Sequence, residues 1–352
     1  MLKSILLAIL GVSVSFLFAN GADEPIPPSD RVRVAISNAL PMLEAGSRGS
    51  ADKRECFTCH SQAIPVFALL EAKRQGFSVS DENLNRQLKH TYDHLQRGLA
   101  NYRQGKGQGG DVLTAGYALW TLDEGEWPAD EVSDAVSNYL LDTQADLRHW
   151  RHRGSRPPTS GSDFTATYVA LRSLHRFGAD NQQEPIAKRM EQVAEWLSST
   201  PAIETEDFVF KLSSLQYVNG QPQAIQEAAA ALLNTQRDDG GWGQNADMSS
   251  DAYATGSALS ALIREGHISP NNESIQKGIE YLLATQLNDG TWHVVTRAKP
   301  VQVYFESEFP HGKDQFLSIS ATAWSTLALL QTLPDRNHRD AQHEEHEDAA
   351  TD

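Results

Sequence analysis

The sequence predicts an all-α protein in which six pairs of helices close into an (α/α)6 toroid. Two observations lead to this prediction: helices with one polar face alternate with helices that are apolar on nearly all sides, and a glutamine–tryptophan turn recurs between them. An apolar helix needs cover on every side, so six such helices belong inside a ring of six mixed ones. An open solenoid of stacked helix pairs is the alternative arrangement.

The mixed helices carry charges between apolar positions at helical spacing, which is typical of an outer layer. Pro41 lies inside the first of them and should kink that helix or end it early. The six predicted segments are Asp30–Ala45, Asp81–Gln104, Asp130–Thr143, Asn181–Ser198, Pro222–Thr235 and Asn271–Thr285.

The apolar helices mostly begin near an acidic residue, and five of the six end at a glycine, the residue that most often stops a helix. The acidic residues are expected to cap these helices by accepting hydrogen bonds from free N–H groups. The six predicted segments are Cys56–Gly76, Asp111–Gly125, Asp163–Gly178, Asp207–Gly220, Asp251–Gly266 and Phe316–Leu333.

The recurring turn places a glutamine six residues before a tryptophan, at Gln144 and Trp150, Gln236 and Trp242, and Gln286 and Trp292. A glutamine at a helix end can bond the exposed backbone of the next turn while the indole packs over it. Glycine in the turn permits a positive φ. The repeat therefore predicts a tie between the helix layers.

These turns resemble the Q-x-x-x-G-x-W repeat of squalene/hopene cyclases and of the related protein prenyltransferase β-subunits. The match is close at the second and third turns, which contain Gly240 and Gly290, and partial at the first, where Arg148 occupies the glycine position. The resemblance covers roughly residues 60–333. It implies the same (α/α)6 toroid, with the N-termini of the inner helices lining one mouth.

Composition excludes some classes of partner and suggests a location. The formal net charge of −16 argues against nucleic acid, which needs a basic surface. Residues 1–21 read as a cleaved secretory signal: Lys3, an apolar run and small residues at Ala19–Gly21. The mature protein is expected to be periplasmic or secreted, with no membrane span after cleavage. Residues 22–333 then form the toroid, and residues 334–352 form an acidic, histidine-containing disordered tail.

The motif Cys56-Phe57-Thr58-Cys59-His60 has the spacing of a c-type haem attachment site and uses both cysteines of the chain. In such sites the thiols bond the haem vinyl groups and the histidine binds the iron, so His60 is the predicted iron ligand and haem c the predicted cofactor. Two alternatives remain open: a reversible dithiol or disulfide, and a zinc site that needs a fourth ligand. His90 and His94 are the nearest candidates for a second iron ligand.

The resemblance suggests one catalytic residue. Hopene-type cyclases carry D-x-D-D-T-A at an inner-helix start, where the middle acid protonates the isoprenoid. The corresponding run here is Gly161-Ser162-Asp163-Phe164-Thr165-Ala166, so Asp163 falls on the protonating position. Gly161 and Phe164 replace the flanking acids. The zinc motif of the prenyltransferases is matched by Asp251, but Tyr253 stands in place of its cysteine.

Two long loops are expected near a mouth of the ring, because connectors of this length commonly form lids or binding elements. The loop 148–162 is rich in arginine and histidine and suits an anion, unless it is simply solvated. The loop 293–315 contains Glu306, Glu308, His311 and Asp314. His311 is the candidate acid or base in this loop, with a polar lid held by ion pairs as the alternative.

Three functions are compatible with these patterns. The first is an exported haem or redox protein, with a redox partner and a cavity for an apolar ligand, for example an isoprenoid. The second is a terpenoid cyclase-type enzyme that uses Asp163. The third is a non-catalytic binding or scaffold toroid, which a ring centre filled by side chains would favour. Aromatic residues near the inner-helix starts are expected to pack in the core or to face such a cavity.

Overall fold

The structure is a computed structural model and describes residues 28–154, 156–218, 220–300 and 303–334. Within these residues the chain forms thirteen α-helices and no β-strand. The predicted signal (residues 1–21) and all but the first residue of the predicted tail lie outside the described part. None of the described helices is long and apolar enough to cross a membrane.

The outer layer consists of the helices that the sequence predicts to be mixed. Each has one buried face and one face in solvent, because its apolar residues recur at helical spacing. They are α1 (Pro28–Lys53), α3 (Asp81–Arg97) with the short α4 (Leu99–Arg103), α6 (Glu131–Asp142), α8 (Gln183–Ser199), α10 (Pro222–Leu233) and α12 (Glu273–Thr285).

The inner layer consists of the predicted apolar helices, most of whose residues are buried. The first of them follows a single π-helical turn, Cys59–Ala63. The inner helices are α2 (Ile64–Arg74), α5 (Asp111–Glu124), α7 (Asp163–Phe177), α9 (Thr205–Leu215), α11 (Ala252–Arg264) and α13 (Gln315–Leu330).

The inner helices form a closed ring. Each packs against the next in chain order, and α13 packs against α2 as well as α11. Every outer helix lies over two consecutive inner helices, and α1 covers the junction between α13 and α2. The predicted (α/α)6 toroid is therefore confirmed, and the open solenoid is excluded.

The three glutamine–tryptophan turns connect the layers as predicted. In each, the indole Nε1 donates to a carbonyl of the preceding outer helix, at 2.8 Å to Leu140, 3.0 Å to Leu232 and 2.9 Å to Leu282. The backbone N–H of each tryptophan donates to a threonine of the following inner helix, at positions 167, 255 and 322.

The glutamines extend the tie to the next outer helix. The amide of Gln236 donates to the carbonyl of Ser274 at 2.8 Å, and that of Gln286 donates to the carbonyl of Ala35 at 2.8 Å. The third turn thus connects the last outer helix, α12, to the first, α1, where the ring closes. At the first turn Arg189 of α8 takes over this role, bonding the carbonyl of Leu147 at 2.5 Å.

Two local predictions were wrong. The first helix does not end early at Pro41, because α1 continues to Lys53; its packing against α2 and α13 offsets the missing hydrogen bond. Of the four acids predicted to cap inner helices, Asp251 occupies the capping position and accepts from the N–H of Ala254 at 2.9 Å. Asp207 acts from the third position of α9, where it accepts from the N–H groups of Ile203 and Glu204 at 3.1 Å. The capping positions of α5, α7 and α9 belong to Gly110, Ser162 and Glu204.

Candidate functional site

The segments that precede the inner helices meet at one mouth of the ring. Arg297, in the loop before α13, bonds the carboxylate of Glu204 at the start of α9 and the amide of Gln244 before α11. The hydroxyl of Ser162 donates to Asp207 at 2.6 Å, which joins the starts of α7 and α9. These contacts fix both long loops against the inner-helix N-termini.

A cavity of about 480 Å³ opens at this mouth; we call it the mouth cavity. Its walls come from the segment 156–160, from residues 295–300 and 303–304 and from the first residues of α13, and its floor includes His60. The lining is mainly apolar, with three cationic side chains, Arg156, Lys299 and Lys313. This size and composition are typical of a small-molecule site.

His60 reaches the mouth cavity with both imidazole nitrogens free of hydrogen bonds to the described residues. Its ring packs edge-on against Phe316, with 5.4 Å between ring centroids. Burial, assisted by the charge of Arg156, lowers the pKa of His60 to about 3. The imidazole is therefore neutral at physiological pH, the form in which histidine binds a metal.

The two cysteines of the motif are free thiols in different surroundings. Cys56 is exposed, whereas Cys59 is partly buried and its Sγ lies 4.0 Å from Oγ of Ser160, a residue of the cavity lining. Burial raises the pKa of the Cys59 thiol. Among the described residues, no group of three or more His, Cys, Asp or Glu side chains could hold a metal ion.

Asp163 lies at the first residue of α7, at the mouth but outside the cavity lining. Its carboxylate accepts from the backbone N–H of His152 at 2.9 Å and contacts the rings of His152 and His149 at 2.7 and 3.4 Å. Partial burial alone would raise the pKa of Asp163, but these hydrogen bonds lower it well below the usual range. Asp163 is thus an ionised group that holds the loop 148–154 to α7.

The basic loop is largely neutralised by carboxylates. Arg148 lies 3.8 Å from Glu195 and Arg153 lies 3.4 Å from Asp111, and both contacts are solvent-exposed. Arg156 differs from them, because it lines the mouth cavity and has no ion pair among the described residues.

His311 lies in the loop 293–315, against the third glutamine–tryptophan turn, and does not line the mouth cavity. Its Nε2 is 2.8 Å from the hydroxyl of Thr291, and its ring stacks on His293 at 4.6 Å. The acids grouped with it in the sequence point elsewhere: Asp314 contacts His293 at 3.0 Å, and Glu308 contacts Arg48 at 3.6 Å. The loop is therefore anchored by separate polar contacts.

The centre of the ring is filled by side chains. Tyr117, Trp120, Tyr168, Phe210 and Trp324 are all buried there or line its edges. The space lined by Trp120, Tyr168, Phe210 and Trp324 is about 30 Å³, room for about one water molecule. A ligand of isoprenoid size does not fit there, whereas the mouth cavity and a second cavity of about 500 Å³, at the C-terminal ends of α2, α5, α11 and α13, are large enough.

The sequence reading missed Glu206, which the structure places at the ring centre with only 3% of its surface exposed. Its carboxyl oxygens contact the hydroxyls of Thr165 at 3.0 Å and Tyr253 at 3.1 Å. Burial raises the pKa of Glu206 to about 8, against the opposing effect of those two hydrogen bonds. No local signal marked it, because Glu206 stands between Thr205 and Asp207 in a polar run that precedes the apolar residues of α9.

Comparison with known proteins agrees with the fold and with part of the resemblance. Residues 204–311 match the squalene-hopene cyclase C-terminal domain family. The chain is 39% identical over 80 residues to the squalene–hopene cyclase of Zymomonas mobilis, covering 20% of this chain and 12% of that protein. It is 32% identical over 133 residues to the squalene–hopene cyclase of Bradyrhizobium diazoefficiens, covering 33% of this chain and 18% of that protein. The chain thus spans less than a fifth of the length of either relative.

Solved structures share the architecture at low identity. A type II terpene cyclase from Scytonema, in complex with geranylgeranyl dihydroxybenzoate, superposes with a TM-score of 0.55 at 12% identity, covering 87% of this chain and 98% of that one. A glycosidase superposes with a TM-score of 0.54 at 12% identity over the same shares. The chain therefore has the α/α toroid fold that these enzymes share, and residues 204–311 resemble the squalene-hopene cyclase C-terminal domain.

Proposed function

We propose that this toroid is an exported haem protein in which Cys56 and Cys59 attach one haem c and His60 binds its iron at the mouth cavity. The observation that carries the proposal is the placement of His60. A neutral imidazole without a hydrogen-bond partner, directly after a thiol and exposed only to a cavity, is suited to metal ligation. When bound, the haem would supply one-electron chemistry.

The residues around the motif fit this group. Each thiol can form one thioether, and Cys56 is accessible from solvent while Cys59 lies beside the cavity wall. Arg156, Lys299 and Lys313 line the same cavity without ion pairs among the described residues, so they are available to the two haem propionates. Phe316 packs against His60 and restricts its ring.

The competing uses of the motif have less support. A zinc site needs further ligands, and the described residues offer no group of three that could hold a metal. A disulfide between Cys56 and Cys59 remains chemically possible for an exported protein. It would leave the free imidazole of His60 without a role.

The test is an absorption spectrum of the full chain, secreted from a host with c-type haem maturation. A Soret band that persists after denaturation in the wild type and disappears in Cys56→Ala/Cys59→Ala would establish covalent haem. His60→Ala should keep the covalent band and change its position and redox behaviour, because the iron loses a ligand. His267→Asn, at an exposed turn, is the matched control. A wild-type protein without a Soret band would contradict the proposal.

An apolar ligand is a second candidate for the mouth cavity. The Scytonema cyclase of the same fold was solved with geranylgeranyl dihydroxybenzoate, and the lining here is mainly apolar. We propose an isoprenoid-like ligand in this cavity. A cyclase-type enzyme using Asp163 is the alternative to the haem protein and has less support, because this carboxylate is ionised, contacts His149 and His152 and lies outside the lining. Titration of the Cys56→Ala/Cys59→Ala protein with geranylgeraniol tests binding, and loss of product formation in Asp163→Asn tests the enzyme. Absence of both would leave a non-catalytic scaffold.

A further inference from the structure

Polar side chains from four inner helices converge at the otherwise apolar centre of the ring. They are Tyr117 of α5, Thr165 of α7, Glu206 of α9 and Tyr253 of α11, each with at most 3% of its surface exposed. Polar groups in a dry core cost stability unless they are hydrogen-bonded, so such a cluster is a conspicuous feature. The hydroxyl of Tyr117 has no partner among the described residues.

Glu206 lies in this cluster without a cation. The hydroxyls of Thr165 and Tyr253 are its hydrogen-bond partners among the described residues, and it forms no ion pair with them. The charged neighbours on its own helix are Asp207 and Glu204, which are both acidic.

The other packed elements add no positive charge at this point. Tyr253 is the titratable group that faces Glu206 from α11, and Tyr117 is the one from α5. From the π-helical turn, Cys59 approaches Tyr117. The contact from α7 is the neutral hydroxyl of Thr165, and no titratable group of α8 or α10 acts on Glu206. A buried carboxyl in this setting retains its proton, because the ionised form would lose its hydration without gaining a counter-charge.

The cluster extends to the floor of the mouth cavity. Thr159 lines that cavity and lies next to Tyr253, close enough to influence the pKa of its phenol. Hydroxyl groups both donate and accept, so Tyr253 can accept the carboxyl proton while passing its own to Thr159. The geometry thus provides a short chain from Glu206 through Tyr253 and Thr159 to the cavity.

We propose that Glu206, Thr165 and Tyr253 form a proton-binding site at the ring centre that exchanges protons with the mouth cavity through Tyr253 and Thr159. In the protonated state, the Glu206 carboxyl O–H donates to the oxygen of Tyr253 or Thr165. When the proton leaves, the O–H bond of Glu206 breaks, Tyr253 takes that proton and releases its own towards Thr159. Thr159 takes up that proton on its oxygen and gives its own hydroxyl proton to a water molecule in the cavity, and the carboxylate then accepts hydrogen bonds from the hydroxyls of Thr165 and Tyr253.

The site would supply a proton to a ligand in the cavity, or take one from it, when the ligand reacts or changes its charge. It does not depend on haem, because the cluster belongs to the toroid itself. Glu206 acts through Tyr253 and not by touching the cavity, so its role is to hold and relay a proton.

The test is infrared spectroscopy of the full chain, following the carbonyl band of a protonated carboxyl group. The wild type should show this band at pH 6, and Glu206→Gln, which keeps the size and most hydrogen bonds of the side chain, should lack it. Glu204→Gln is the matched control, because Glu204 is a rim carboxylate paired with Arg297 and should leave the band unchanged. A band of equal intensity in the wild type and in Glu206→Gln would overturn the proton site.

The path is tested by the rate at which this band shifts after transfer of the protein into D2O at pH 6. Tyr253→Phe and Thr159→Val should each slow the shift by roughly tenfold, since each removes one hydrogen-bonded hydroxyl from the path. Tyr217→Phe is the control, because the hydroxyl of this half-buried tyrosine is hydrogen-bonded to Arg172 and lies off the path. In this variant the band should shift at the wild-type rate. Wild-type rates in both Tyr253→Phe and Thr159→Val would overturn the link to the cavity.

Discussion

Replacing Trp150 by phenylalanine tests whether the tryptophan turns hold the two helix layers together. Trp150 is fully buried, and its Nε1 donates to the carbonyl of Leu140 at 2.8 Å. Apart from the regular backbone bonds of the helix, no other group among the described residues donates a hydrogen bond to this carbonyl. Phenylalanine would leave it buried and unpaired while keeping a ring beneath the guanidinium of Arg189, which lies 4.0 Å from the ring centroid.

The expected loss of stability follows from two contributions. An unpaired buried carbonyl costs about 1–3 kcal/mol. The smaller ring leaves a gap that costs roughly 1 kcal/mol more in lost contacts. We therefore expect Trp150→Phe to lower the free energy of unfolding by about 2–4 kcal/mol.

Urea denaturation followed by circular dichroism measures this loss. Trp127→Phe is the matched control: Trp127 is partly exposed, stacks on Tyr92 at 5.0 Å and has no recorded indole hydrogen bond. Its effect should stay below about 1 kcal/mol. Equal destabilisation by the two variants would refute the reasoning, since it would show that the interlayer bond contributes nothing beyond ring size.

Three further perturbations have directions set by the structure. Gly290→Ala should lower the free energy of unfolding by more than about 1 kcal/mol, because φ is +84° and the new Cβ would lie 2.1 Å from the carbonyl oxygen of Asn38. The control in the same urea titration is Gly109→Ala, whose new Cβ would meet no atom within 4 Å. Arg172→Met should cost about 2–4 kcal/mol, because it removes the buried cation that lies 2.7 Å from Asp123 and 2.9 Å from Glu124 and leaves these acids with the half-exposed Arg176, Arg74 and Arg264 as partners. Arg176→Met, at a more exposed site, should cost far less, and thermal unfolding measures both variants. Glu206 has its folded pKa raised to about 8, so its stabilising contribution is complete below the unfolded value near 4.3 and is lost as pH rises to about 8. The stability of Glu206→Gln relative to wild type should therefore rise by up to roughly 1.4 kcal/mol per pH unit between pH 5 and 8, and a constant difference across that range would show that Glu206 is ionised in the fold.

Helix order and the interlayer turns were readable from the sequence because they depend on local pattern. Apolar spacing, terminal glycines and the six-residue interval from Gln236 to Trp242 all report on a few neighbouring positions. The early end at Pro41 was wrong for the opposite reason. Contacts of α1 with α2 and α13, distant in sequence, keep that helix intact.

The motif residues were found from the sequence, whereas their surroundings were not. Cys56, Cys59 and His60 are adjacent, so their spacing alone suggests haem chemistry. The cavity that His60 faces is built from residues 156–160, 295–300, 303–304 and 316–317, more than ninety positions away in the chain. Asp163 and His311 were selected by pattern, and only the fold shows that neither lines this cavity.

The sequence by itself determined the alternation of six outer and six inner helices, because burial on one face or on all faces imposes distinct apolar periods. It did not determine which inner-helix residues meet at the ring axis. An inner helix is apolar all round, so its pattern carries no mark of the side that faces the centre. The packing of α9 between α7 and α11 brings Thr165 and Tyr253 within 3.0 and 3.1 Å of Glu206, and this packing is a property of the tertiary structure.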